Sequence, residues 1–175
     1  PWTLPSNTAL SLGGKIEYSF VKTFNQYTKE KITVVLATSL IEKVFDKNFF
    51  NVKEENKLGL FKESDLKIPY YIVSSFNGVD FENLKYERIW DESPLPIDNP
   101  ENAFRVILGD FVTTEDGTGI VHTAPTFGAD DYKAAKSAKP EVPPLLVLDE
   151  NGNKVPLVDL KGKFIDDIGM ISGKY

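Results

Sequence analysis

The sequence predicts a mixed, β-rich α+β fold, in the form of a distorted β-barrel with peripheral helices. Several short segments either alternate between apolar and polar residues or are continuously apolar, as β-strands are. Clusters of Gly, Asn, Asp and Pro separate these segments. Only two segments have helical spacing, and strands and helices do not alternate regularly, so a parallel βαβ sheet is not expected. The predicted strands are Lys15–Phe24, Ile32–Ala37, Tyr70–Phe76, Phe104–Val112, Thr118–Ala124 and Leu145–Leu148.

The first predicted helix follows Thr38-Ser39. Ser39 and Glu42 have the spacing of a capping box, in which each side chain satisfies a backbone N–H of the other. Ile41, Val44, Phe45 and then Asn48 or Phe49 fall at helical spacing and give an apolar stripe. Such a stripe is more often packed in a core than used as a binding groove, so we expect it to be buried.

The second predicted helix opens near Asp130, continues to about Ala138 and is closed by Pro140. Before it, Glu115-Asp116-Gly117 separates the strands Phe104–Val112 and Thr118–Ala124. Because Asp-Gly favours the positive φ of tight turns, this tripeptide predicts a β-hairpin between the two strands.

Composition narrows the class of protein. With 175 residues, 41% of them hydrophobic, the chain is expected to form a single domain over residues 1–175. Its formal charge of −6 argues against holding a long stretch of nucleic acid, which takes a basic surplus. Without cysteine and with one histidine, thiolate and multi-histidine metal sites are not expected. No apolar run has the length of a membrane span, and no signal peptide is evident, so a cytoplasmic location is expected.

The segment Gly117–Asp131 carries the residues best suited to chemistry. Read as a strand, it places His122, the only histidine, on a mostly small and apolar face. The chain then breaks at Pro125 and starts a helix with Asp130 and Asp131. The side chains of two adjacent helical residues point about 100° apart. One carboxylate is therefore expected to cap the start of the helix, and the other is expected to face a pocket. A buried core histidine and two simple first-turn acids are the alternative interpretation.

Two motifs resemble those of a known family. Pro1-Trp2-Thr3-Leu4-Pro5-Ser6-Asn7 resembles the start of the connective-polypeptide insertion of isoleucyl-tRNA synthetases. His-Thr-Ala-Pro followed by Gly-x-Asp-Asp, within Gly117–Asp131, resembles the core of the same insertion, and the segments from Asp149 to Tyr175 fit its C-terminal part. The chain begins with Pro1 rather than methionine, so we expect it to be one segment of a larger synthetase.

The resemblance implies a proofreading hydrolase that removes valine misattached to tRNA(Ile). It implies that Asp131 holds the α-ammonium of valine and that His122 forms a wall that rejects isoleucine. Substrate-binding roles are implied for a second group of residues, of which the first three line the site or meet the terminal adenosine: Trp2, Thr3, Asn7, Thr118, Gly119 and Thr123. The implied partners are the tRNA 3′ end and the rest of the synthetase, with no membrane. No cofactor or metal is expected for this domain, since ATP and metal belong to the synthetic domain.

Three other functions remain open. The valyl and leucyl relatives carry an equivalent editing domain, although they typically have another residue at the position of His122. A module that binds the tRNA 3′ end without cleaving the ester is a different class of function, and a free-standing deacylase is a third. Hydrolysis of valyl, threonyl and norvalyl esters would separate the editing domains from one another.

Overall fold

The computed structural model describes residues 6–88, 94–159, 161–165 and 173. The chain divides into two compact units. The first unit comprises Pro1–Leu12, Phe81–Phe111 and Val121–Tyr175, and the second comprises Gly13–Asp80 and Val112–Ile120.

The second unit is built on a sheet of four strands. These are β2 (Glu17–Phe24), β3 (Lys31–Ala37), β4 (Phe49–Asn51) and β5 (Ile68–Asn77), in the order β3-β2-β5-β4. β2 is antiparallel to both β3 and β5, with Val21 opposite Val34 on one side and Ile72 on the other. β4 lies parallel to β5 at the edge. The three long strands, β2, β3 and β5, confirm the strands predicted over Lys15–Phe24, Ile32–Ala37 and Tyr70–Phe76.

Two apolar clusters lie in this unit. One joins β2, β3 and β5 to the short helix α1 (Ile41–Val44) through buried residues that include Val21, Ile41 and Phe45. The other packs Phe24 and Ile68 on Leu58 of the 3-10 helix Glu55–Leu60. Further 3-10 turns lie at Thr38–Leu40 and Gly78–Phe81.

The predicted capping box before α1 is wrong, as is part of its apolar stripe. The N-cap residue of α1 is Leu40, and no side chain caps the helix. The Thr38 hydroxyl instead bonds to the Ser19 hydroxyl at 2.8 Å, which ties the turn to β2. Val44 is exposed, although Phe45 is buried as expected. Because α1 is a single turn, its register is set by packing on the sheet rather than by local capping.

The first unit contains a sheet of three strands. These are β1 (Ala9–Leu12), β6 (Arg105–Leu108) and β7 (Ile120–Thr123), in the order β6-β1-β7. β1 is parallel to β6, with Ala9 opposite Arg105. The predicted hairpin between β6 and β7 is therefore wrong, because β1 lies between them. Gly117 does have the positive φ of a turn, at 71°. The Asp-Gly sequence thus predicts the turn at Gly117, but a local turn signal does not determine which strands pair.

Helix α2 (Ala129–Ser137) packs on this sheet through one apolar cluster. Ala134 and Ala135 of the helix belong to the same buried cluster as Ala9 of β1, Ile107 of β6 and Val142. The observed bounds confirm the predicted second helix. The first unit also holds the 3-10 turn Pro100–Asn102 and the antiparallel pair of β8 (Leu146–Leu148) with β9 (Lys154–Pro156).

The described residues thus form a β-rich mixed fold with few helices, which confirms the predicted class in its general terms. None of the three sheets in the described part closes into a barrel. The expectation that residues 1–175 form a single domain stays a prediction. Across the residues that the structure describes, no helix is long and apolar enough to cross a membrane.

Candidate active site

The start of α2 separates the roles of its two aspartates. The Ala124 N–H donates a hydrogen bond to Asp131 Oδ2 at 2.9 Å. Asp130 instead points outward, with 70% of its side chain exposed, and lies 3.5 Å from Lys133 Nζ one turn further along the helix. Both acids lie where the partial positive charge of a helix N-terminus favours a carboxylate. Only Asp131 is tied to the segment that carries His122.

A tight turn places the Asp131 carboxylate. The Ala124 carbonyl accepts hydrogen bonds from Phe127 N–H at 3.0 Å and Gly128 N–H at 3.3 Å, which reverses the chain before α2. The Ala124 N–H is then left for Asp131. Both polar groups of this buried peptide are therefore satisfied inside one turn, as buried backbone groups must be. Asp131 accepts the hydrogen bond from Ala124 through Oδ2.

Adjacent residues of β7 face in opposite directions. His122 is exposed, whereas Thr123 has no exposed surface and its hydroxyl bonds to Ser11 Oγ of β1 at 2.6 Å. The Thr123 carbonyl also accepts the Thr8 N–H at 3.0 Å. The alternative interpretation of His122 as a core residue is therefore wrong. Thr123 holds β7 against β1, so its burial favours a supporting role, and its predicted contact with substrate stays a prediction.

Thr118 and Gly119 belong to the second unit, where backbone contacts hold them. The Thr118 carbonyl accepts the Ala37 N–H at 2.8 Å at the end of β3, and the Thr118 side chain is exposed. It lines a groove of about 400 Å³ with apolar residues of β3 and α1. Gly119 is buried, has a φ of 74°, and its carbonyl accepts the hydroxyl of Tyr18 at 2.7 Å.

Tyr18 is a supporting residue that the sequence analysis missed. Its hydroxyl accepts the Gly13 N–H at 2.9 Å while donating to Gly119, so one buried phenol joins two backbone segments. Burial raises the pKa of Tyr18 above its usual value, and the bond from Gly13 opposes that shift. An aromatic residue on a strand carries no sequence signal for such a bridge.

Asn7 is bound at both ends of its amide. Its Nδ2 donates to the Ala9 carbonyl at 2.5 Å, and its Oδ1 accepts the Tyr86 hydroxyl at 2.5 Å. Burial raises the pKa of Tyr86, while the bond to Asn7 acts in the opposite direction. These bonds fix the chain just before β1, and a substrate contact of Asn7 stays a prediction. Trp2 and Thr3, also predicted to bind substrate, lie outside the described residues.

No family model matches the chain. An isoleucine–tRNA ligase of Cytophaga hutchinsonii is 46% identical over 176 residues, covering 100% of this chain and 15% of that protein. The isoleucine–tRNA ligases of Bacteroides fragilis and Porphyromonas gingivalis are 48% and 49% identical, each over 94% of this chain and 14% of the relative.

These matches show that the chain is homologous to a segment of the aminoacyl-tRNA synthetases. More narrowly, it is homologous to one segment of the isoleucine–tRNA ligases, which confirms the resemblance found in the two sequence motifs. The chain spans about 15% of the length of the first of these relatives.

Proposed function

We propose that this chain is the editing domain of an isoleucine–tRNA ligase and that it hydrolyses the ester of valine misattached to tRNA(Ile). The observation that carries the proposal is the hydrogen bond from Ala124 N–H to Asp131 Oδ2. Ala124 follows His122 by two residues, which is roughly 7 Å of extended chain. An anionic group and an exposed imidazole are thereby tied to the same end of β7.

The anionic group fits the α-ammonium of an aminoacyl ester. With Oδ2 held by the backbone, Oδ1 of Asp131 accepts a charge-assisted hydrogen bond from the ammonium, which fixes the scissile carbonyl. Asp130 is the less suitable candidate, because it is exposed and lies beside Lys133.

His122 is proposed to set the size limit of the pocket. A synthetic site made for isoleucine cannot strongly reject valine, because one methylene is worth about 1–3 kcal/mol, and the isoleucyl enzymes are the standard example. A second pocket that admits valine but is too small for isoleucine would hydrolyse only the valyl ester. The imidazole of His122 is exposed on β7 and is a rigid planar group of the kind that can form such a wall.

The proposed reaction requires no cofactor. An aminoacyl ester is already activated, so a positioned water and oriented donors are sufficient to accelerate its hydrolysis. The proposed partners are the 3′ end of tRNA(Ile) and the remainder of the synthetase. A formal charge of −6 fits a domain that receives only a short end of the nucleic acid.

The test is deacylation of Val-tRNA(Ile) and Ile-tRNA(Ile) by the full-length ligase that carries this segment. Asp131→Ala is expected to lower kcat/KM for Val-tRNA(Ile) roughly 10- to 150-fold, which corresponds to a charge-assisted hydrogen bond of about 1.5–3 kcal/mol. Asp130→Ala is the matched control and is expected to change it less than twofold. Equal effects of the two substitutions would contradict the role of Asp131.

His122→Ala tests the size limit in the same assay. The variant is expected to hydrolyse Ile-tRNA(Ile), which the unsubstituted enzyme spares. If the variant still spares Ile-tRNA(Ile) completely, His122 does not exclude isoleucine. Binding of the tRNA 3′ end without cleavage of either ester would favour a non-catalytic module, and preferential cleavage of threonyl or norvalyl esters would favour a valyl or leucyl type of editing.

A further inference from the structure

We propose that Gly128 is a positioning residue for the editing reaction, because the absence of its side chain is what lets the Asp131 carboxylate reach Ala124. This inference rests on the proposed function of Asp131 and extends it to a residue that contacts no substrate. Gly128 is the N-cap residue of α2, and Asp131 follows three residues later. On a helix, residues three apart are neighbours, so the space beside Gly128 is where the Asp131 side chain lies.

The space is fully used by the carboxylate. A Cβ at position 128 would lie 2.7 Å from Asp131 Cγ and 2.8 Å from Oδ2, the oxygen that holds Ala124 N–H. It would lie 3.1 Å from Asp131 Cβ. Carbon atoms in contact are optimally about 3.5–4.0 Å apart, so a methyl group and the folded-back carboxylate cannot both occupy this position.

Backbone conformation is not the reason for glycine here. Gly128 has φ −100° and ψ 131°, an extended conformation that any residue adopts. An alanine at position 128 should therefore be accommodated by the backbone and act on the nearest movable group. That group is the side chain of Asp131, whose rotation would break the bond to Ala124 and move Oδ1 away from the position proposed for the ammonium.

The variant Gly128→Ala in the full-length ligase tests the proposal by kinetics. We expect kcat/KM for Val-tRNA(Ile) to fall at least tenfold. Gly59→Ala is the matched control, because a Cβ at that glycine meets nothing within 4 Å, and it should change kcat/KM less than twofold. In an Asp131→Ala background, Gly128→Ala should not lower kcat/KM further. A residue that acts only through the Asp131 carboxylate has no effect on the rate once that carboxylate is removed.

A crystal structure of the Gly128→Ala variant provides a readout that does not depend on activity. The distance from Ala124 N to Asp131 Oδ2 is expected to increase from 2.9 Å to beyond hydrogen-bonding range. Retention of that bond, wild-type kcat/KM in the single variant, or an equal loss in the Asp131→Ala background would each overturn the proposal. If the unsubstituted ligase fails to deacylate Val-tRNA(Ile), the proposed function is wrong, and the crystal structure still decides whether Gly128 positions Asp131.

Discussion

Removing the hydroxyl of Tyr18 should destabilise the second unit far more than an ordinary surface substitution does. Tyr18 has no exposed surface, and its hydroxyl joins Gly13 N–H at 2.9 Å to the Gly119 carbonyl at 2.7 Å. The ring itself stacks on Phe76 with centroids 6.0 Å apart, so it should stay in place in Tyr18→Phe. The substitution therefore isolates the loss of the hydroxyl.

The expected loss of stability follows from the two backbone groups that lose their hydrogen-bond partner. Tyr18→Phe leaves one buried N–H and one carbonyl without their partner, and each such group costs about 1–3 kcal/mol. Allowing for partial relaxation, the free energy of unfolding should fall by about 2–4 kcal/mol, a large share of the roughly 5–15 kcal/mol typical of a domain. With a urea m-value of about 2 kcal/mol/M, the unfolding midpoint should fall by about 1–2 M.

The assay is urea unfolding monitored by circular dichroism, with Tyr27→Phe as control. Tyr27 is 84% exposed, so the loss of its hydroxyl should change the unfolding free energy by less than about 0.5 kcal/mol. If both variants have the same midpoint and m-value as the unsubstituted chain, the Tyr18 bridge contributes nothing and the reasoning is refuted.

Three further predictions concern stability. Gly119→Ala should cost about 1–3 kcal/mol more than Gly117→Ala, since both glycines have positive φ but only at Gly119 would a Cβ lie 2.6 Å from Ala37 Cβ; equal unfolding midpoints would contradict this. Arg105→Met should cost about 2–4 kcal/mol by urea unfolding, because the buried guanidinium donates to Asn102, Asn83 and Pro140, and an unchanged midpoint would argue against it. Burial raises the pKa of Tyr86 above its unfolded value, so the unfolded state ionises first and stability should fall as pH rises above about 10; a Tyr86→Phe variant should show a shallower decline.

Local patterns in the sequence were sufficient to predict several elements of the fold. The apolar, aromatic and β-branched residues along Glu17–Phe24 and Lys31–Ala37 are a local strand signal that needs no knowledge of other segments. The same holds for α2, whose helical spacing ends before Pro140. The motif around His122 and Asp131 also pointed to the isoleucyl enzymes, and relatives at 46–49% identity confirm that relationship.

The tertiary structure decided how those elements pair and which side chains are available. β1, which the sequence analysis did not predict, lies between β6 and β7 and excludes the expected hairpin. The bond of Thr123 to Ser11 likewise joins two segments that are 112 residues apart in the sequence and meet only in the fold. The physical reason is that strand pairing and hydrogen-bond satisfaction depend on burial across the whole unit, whereas periodicity and turn chemistry are properties of neighbouring residues.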